Sequence, residues 1–306
     1  MALKTRGTTP QLFDNVDKDV FAIFGDTLKE LPNLWRQVIN VKKSDRKFER
    51  VMSMTGVGDI PEKGEGAPFI SQTIREGWTK DFIHTEFGAT FEVTQTALED
   101  DQFDQLSQHA KWFMFAARVT EEKRGAILFN NGFTSEQSPD GVAIFSTAHV
   151  LKAGGTSRNR LATDADLTAT SLEQALIDLG TQTKVEAGQL VQAPQSLILH
   201  VPQELEFAAE RILRSTLRPG SADNDVNALK RRKWEIVVNQ YLTDTDAWFL
   251  LNAAKDGHGL RSYTRKGMEM EAPRTDPRTS NRLYPIRWRR SFGCAHWQGA
   301  YGTTGA

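Results

Sequence analysis

At 306 residues the chain suffices for one large domain or two ordinary ones, and 39% hydrophobic with 25% charged residues is a globular rather than a disordered composition. Lys plus Arg number 38 against 39 Asp plus Glu, a formal net charge of −1, so the basic excess that nucleic-acid readers draw on is missing and self-association meets little long-range repulsion. The sequence has no apolar run of about eighteen residues to cross a membrane and no apolar signal core near its start, and its single cysteine, Cys294, cannot form an internal disulfide.

Residues 1–40 contain one helical stretch, "VDKDVFAIFGDTLKEL", stopped by Pro32. The polar start "TRGTTP" anchors no core, and the region is expected to be an extended arm. In residues 41–93, the strand-like segments "KFERVMSM" and "FISQTIREGWTKDFIHTEFGATFEV" flank a tip, Met54–Phe69, "MTGVGDIPEKGEGAPF". Gly56, Gly58, Gly64, Gly66, Pro61 and Pro68 crowd the tip, and its apolar residues follow no face. A two-stranded ribbon is marginally stable alone, so an ordered excursion of this kind needs another surface to hold it.

Thr96-Ala97-Leu98-Glu99 matches a capping box, and Phe103, Leu106, Ala110, Phe113 and Ala117 follow at spacings of three and four. Acids at the start and bases at the end suit the helix dipole, and Gly132 stops the run. The helix would be about 50 Å long at about 1.5 Å per residue, a spine for the molecule. A second capping box, Thr170-Ser171-Leu172-Glu173, opens a helix that Gly180 ends. "QSLILHV" is a buried strand, Pro202 opens another helix, and "WEIVVNQYL" and "AWFLLNA" are strands around the turn "TDTD". Residues 136–254 therefore form a mixed α/β module. The last fifty residues alternate like strands and are expected to complete a sheet beside the spine, giving an α+β fold.

Candidate chemistry is thin. The tip fails the P-loop pattern, since no Ser or Thr follows Lys63, and Pro61 replaces the third glycine of a dinucleotide loop. Asp244 and Asp246 are spaced for a divalent metal, but a turn between apolar strands accounts for them. Ser146 precedes His149 without a nucleophile elbow, and no histidine pair has metal-site spacing. Cys294 sits in an aromatic, arginine-rich strand as a packed thiol. "RWRR" at 287–290 and "KRRKW" at 230–234 mix cations with an aromatic as nucleic-acid contacts do, while the neutral chain favours solvated or subunit-facing arginines.

The order of parts — arm, long Gly-tipped loop, spine helix, α/β module, returning sheet — resembles the major capsid proteins of tailed bacteriophages. The wording is similar to the Mu-like major head subunit family in "FEVTQTALEDDQF", "FNNGF", "DGVAIFSTAH", "SLEQALIDL", "LILHVPQELEFAAERIL" and "VVNQYLTDTDAWFLL". The resemblance implies the tailed-phage capsid fold, with an N-terminal arm at 1–40, an E-loop at 41–93, a P-domain at 94–135 and 255–306, and an A-domain at 136–254. It implies a non-enzymatic subunit without cofactor that assembles with itself, as pentamers and hexamers, into an icosahedral head around double-stranded DNA bound without sequence specificity. Made in the host bacterial cytoplasm and located in the virion, it would have portal and decoration proteins as partners and no membrane. Because the parts of the fold begin almost at Met1, a separate scaffolding protein is expected. The E-loop tip, with Gly56, Gly58, Asp59, Glu62, Lys63, Gly64, Glu65 and Gly66, is then the expected subunit contact. A cellular nanocompartment shell of the same fold and a soluble α/β enzyme are the alternatives.

Overall fold

The computed structural model describes residues 8–31, 33–71, 74, 76–99, 103–135, 137–218, 225–254 and 256–306. Pro32 and Asp100 to Gln102 therefore lie outside the described residues. The chain divides into two compact units, one of Met1–Asn33, His84–Lys123 and Thr264–Arg290, the other of Leu34–Ile83, Arg124–Tyr263 and Ser291–Ala306.

In chain order the elements are α1 (Thr8–Glu30), α2 (Trp35–Val38), β1 (Asn40–Lys43), β2 (Phe48–Met54), β3 (Glu76–Ile83), β4 (Thr85–Val93), α3 (Gln95–Glu99) and α4 (Phe103–Asn130). There follow β5 (His149–Val150), β6 (Thr156–Ser157), α5 (Ala169–Thr181), β7 (Ser196–Val201) and α6 (Glu206–Arg214). The last are β8 (Lys233–Val238), β9 (Trp248–Asn252), β10 (Leu260–Met270), β11 (Arg274–Thr275), β12 (Arg282–Cys294) and β13 (Ala300–Thr303).

In the first unit α1 is a 23-residue helix that contains the expected helical stretch from Val16 to Glu30 and extends it back to Thr8. Pro10 stands in its first turn, where backbone N–H groups have no helical partner to lose. Val20 and Phe24 then fall one turn apart and are buried with Ala110, Met114 and Ala117 of α4 and Tyr284, Ile286 and Trp288 of β12. β12 pairs antiparallel with β4, Tyr284 opposite Phe91 and Trp288 opposite Phe87, and the Phe87 and Trp288 rings stack at 5.3 Å. The strand-like segment 69–93 is thus two strands: β3 pairs β2, and β4 pairs β12. Asp17 of α1 accepts from the Tyr284 hydroxyl at 2.8 Å and pairs with Arg282, which ties the helix to the sheet. Glu121 of α4 is buried between two guanidiniums, Arg118 at 2.9 Å and Arg290 at 2.5 Å.

The second unit is built on a four-stranded sheet of order β13-β9-β7-β8, with β7 parallel to β8 and antiparallel to β9. Leu197 to Val201 of β7 are buried consecutively, because both faces of this central strand are covered. On one face lie Leu172, Ala175, Leu176 and Leu179 of α5 and Ala209, Ile212 and Leu213 of α6. On the other lie Trp35, Ile39, Leu128, Phe129, Phe145 and Trp297. Gly132 follows α4 where an added Cβ would come within 2.7 Å of the Phe145 ring, so this position requires glycine for close packing. The closing strand β13, which pairs β9 with Tyr301 opposite Leu250, completes this sheet rather than the one beside the spine.

Both helix starts lie two residues upstream of the expected caps. In α3 the Thr94 Oγ1 accepts the Ala97 N–H, and in α5 the Thr168 hydroxyl accepts the Ser171 N–H at 3.1 Å. Ser171 Oγ accepts the Thr168 N–H at 2.9 Å, so a serine plays the part given to Glu173. α5 also runs through Gly180 to Thr181.

Candidate subunit-contact loop

The long loop and the α/β module belong to the second unit. β2 and β3 form a ribbon of their own, with Phe48 opposite Ile83 and Arg50 opposite Asp81. Arg50 holds Asp81 with two parallel hydrogen bonds of 2.7 Å, and these lower the Asp81 pKa. The ladder shifts register between Met52 and Met54. There the Ser53 hydroxyl accepts the Trp78 N–H at 2.9 Å and donates to the Trp78 carbonyl at 3.2 Å, replacing ladder bonds with a side chain. Gly77 is the residue that admits this hydroxyl, since a Cβ there would stand 2.2 Å from Ser53 Oγ. A short sequence pattern, Ser opposite Gly-Trp, thus sets the root of the loop.

Past Met54 the chain leaves the ribbon. Gly56 and Gly66 turn it with φ of +75° each, a left-handed conformation that a side chain would strain. Gly58 and Gly64 stand in open space with ordinary φ. Asp59 Oδ1 accepts from the Gln189 amide at 2.9 Å, which holds the start of the tip to the α/β module. Lys63 Nζ sits 4.6 Å from the centre of the Phe69 ring. Glu62 and Glu65 are exposed and have no ion pair among the described residues. The expected contact residues therefore divide: Gly56 and Asp59 are engaged with or lie against their own module, Lys63 and Gly66 shape the tip, and Glu62 and Glu65 face solvent.

The residues that the sequence reading passed over are apolar. Ile60 is 86% exposed, Phe69 88% and Ile70 66%. Soluble proteins scatter single apolar residues on their surfaces; here three stand on one segment and join no core cluster among the described residues. The signal present in the sequence was an aliphatic or aromatic residue placed among Gly and Pro where no periodicity could bury it.

The remaining candidates resolve as structure. Asp244 Oδ1 accepts the Asp246 N–H at 3.2 Å, which is turn chemistry. His149 is buried face to face with Trp297 at 3.9 Å, its ring nitrogens 2.7 Å from Asp140 and 3.0 Å from Asn159. Ser146 Oγ accepts the Ala148 N–H, so serine and histidine make no catalytic pair. Burial pushes the Cys294 thiol up to about 12, and its Sγ donates to the His296 carbonyl at 3.1 Å.

A family model described as phage capsid protein matches residues 79–302, more than half of the sequence. The chain belongs to the phage capsid protein family. The capsid protein is a structural, non-enzymatic subunit of the virion shell that assembles with its own copies. Among curated proteins none matches it in sequence.

Solved structures bear out the tailed-phage capsid fold. The capsid protein is similar to a chain of the capsid of cyanophage P-SCSP1u, at a TM-score of 0.59 and 12% identity over 90% of this chain and 88% of that one. It is similar to a chain of the procapsid of bacteriophage JBD30, at 0.51 and 17% identity over 97% of this chain and 76% of that one. A virus-like particle from Pyrococcus furiosus also shares the fold, at 0.51 and 10% identity over 94% and 98% of the two chains. The fold alone thus spans more than one kind of shell, and the family match is what identifies the capsid protein as a phage component.

Proposed function

We propose that the capsid protein is a head subunit of the Mu-like kind and that its tip, residues 56–66 with the adjoining Phe69 and Ile70, is the E-loop contact laid on a neighbouring copy. The observation that carries this reading is the exposure of Ile60, Phe69 and Ile70, which join no core cluster among the described residues. Weak contacts of this sort, with exposed charge pairs at Glu62 and Glu65 of about 0–1 kcal/mol each, become sufficient when repeated around a closed shell. They also let a misplaced subunit leave. In this reading the copies form pentamers and hexamers around double-stranded DNA. A separate scaffolding protein, a portal and decoration proteins complete the head, and the subunit is made in the cytoplasm of the bacterial host.

Deletion of residues 56–66 tests the contact. The truncated subunit is expected to fold and to fail to form heat-resistant shells by negative-stain microscopy. Normal shells with wild-type heat resistance would end the reading. Expression of the chain without other phage proteins tests the scaffold: aberrant or absent shells are expected, and uniform native-sized shells would exclude a scaffold requirement.

A further inference from the structure

The two basic-aromatic motifs part company in the fold. In the first unit the arginines of "RWRR" are neutralised within the unit: Arg287 by Glu86 and Glu271, Arg289 by Glu86, and Arg290 by Glu121 of α4. In the second unit Lys230, Arg231, Arg232 and Lys233 have no carboxylate partner among the described residues. Lys230 reaches only the Thr216 hydroxyl at 3.3 Å, and Arg232 donates to the Pro194 carbonyl. Lys230 and Arg232, with Arg214 already paired to Glu210, line a depression of about 410 Å³, whose wall includes Trp234, Ile236 and one carboxylate, Glu235. Trp234 is fixed there by its indole N–H, which donates to the Leu229 carbonyl at 2.7 Å.

A second observation joins the first at the same place. β8, which begins at Lys233, is the outermost strand of its sheet. The Lys233 and Asn239 N–H groups donate inward, to the Gln195 and Val201 carbonyls beside β7. Backbone direction alternates along a strand, so the N–H groups of Trp234, Ile236 and Val238 point to the open edge. The side chains of these three residues pack inward against the α5–α6 face, and among the described residues no strand pairs with the outer edge. An unpaired edge is a template for an added strand, and four cations at its start without a carboxylate partner among the described residues select an acidic one.

We propose that the β8 edge with Lys230–Lys233 is a docking site for an extended acidic segment of a separate assembly protein, which adds as a strand. A second copy of this chain is a poorer occupant: its own extended acidic stretch, 57–70, is broken by Pro61 and Pro68, which lack the N–H that a ladder needs. The proposal rests on the shell-subunit reading only for the nature of the partner; the peptide measurement below reads the edge whether or not the tip deletion blocks assembly.

The test uses the full chain and a short fluorescein-labelled peptide of alternating Glu and Val, followed by fluorescence anisotropy and amide hydrogen exchange. Saturable, salt-sensitive binding is expected, with new protection at the Trp234, Ile236 and Val238 amides. A K230E/R231E/K233E variant with an unchanged thermal midpoint is expected to bind at least about tenfold more weakly, since three attractive charges become repulsive. Absence of peptide binding, or binding that survives the charge reversal, would overturn the proposal and leave the cations as guards against edge pairing. Preferential binding of duplex DNA without amide protection would assign the patch to phosphate. Protection that appears on self-assembly with no peptide present would assign the edge to a second copy; either result also overturns it.

Discussion

Glu121 shows how much a single buried charge decides. It is 2% exposed and holds Arg118 and Arg290, themselves buried. Replacing it with alanine strands two guanidiniums away from water, a loss of about 3–5 kcal/mol for a broken buried pair. Chemical denaturation of Glu121→Ala should show this loss, whereas Glu62→Ala, fully in solvent, should stay within about 0.5 kcal/mol of wild type. Two histidines act through protons instead. His200 is buried against Phe129 and Phe249 with its Nδ1–H donating to the Val237 carbonyl, and His258 accepts the Leu260 N–H on Nδ1. Burial pushes both down to about 4. Unfolded histidines take up protons below about 6.5, while these stay neutral in the fold. Their contribution is therefore complete above pH 6.5 and is lost as pH falls towards 4, on the order of 1 kcal/mol per unit for each group. Denaturation midpoints measured from pH 7 to 4 should fall accordingly, and His200→Phe should reduce the slope.

At the scale of elements, the two helix starts make one argument twice. Each carries Thr-x-Thr, "TQT" at 94–96 and "TAT" at 168–170, and the sequence pattern selects the second threonine because Glu follows it by three. The structure uses the first, whose hydroxyl receives the N–H three residues on. Thr94→Ala and Thr168→Ala should each lower stability by about 1 kcal/mol, against about 0.5 kcal/mol or less for Thr96→Ala and Thr170→Ala. Thermal scans of the four variants would separate the assignments. The helix face of α4 was half legible in the same way. Spacing found Ala110 and Ala117, which are buried, but it missed Met114, which is 1% exposed. It also gave no hint that Trp112, at 72%, would stand in solvent, because a three-and-four rule locates a stripe without saying which neighbours flank its centre.

For the whole molecule, the proposed tip contact assigns the stability of this segment to the assembly. Ile60, Phe69 and Ile70 bury almost nothing in a single chain. Changing all three to serine should leave the thermal midpoint of unassembled subunits where it is and lower the temperature at which shells dissociate. Calorimetry on both forms reads the two effects separately, and an equal fall in both would mean that the tip packs on its own subunit.

The sequence by itself determined the kind of molecule and most of its elements. Near-neutral charge, the spine stripe, the consecutive apolar run of β7 and the Gly/Pro tip are local properties, set by composition and by spacing along the chain. Only the tertiary structure decided which partner each local feature meets. β13 crosses to β9, β4 separates from the ribbon to pair β12, Gly77 makes room for Ser53, and the two arginine-rich motifs differ in whether a carboxylate stands opposite. Those outcomes depend on residues tens to hundreds of positions apart, and a one-dimensional pattern carries no record of which distant side chain arrives within a few ångströms.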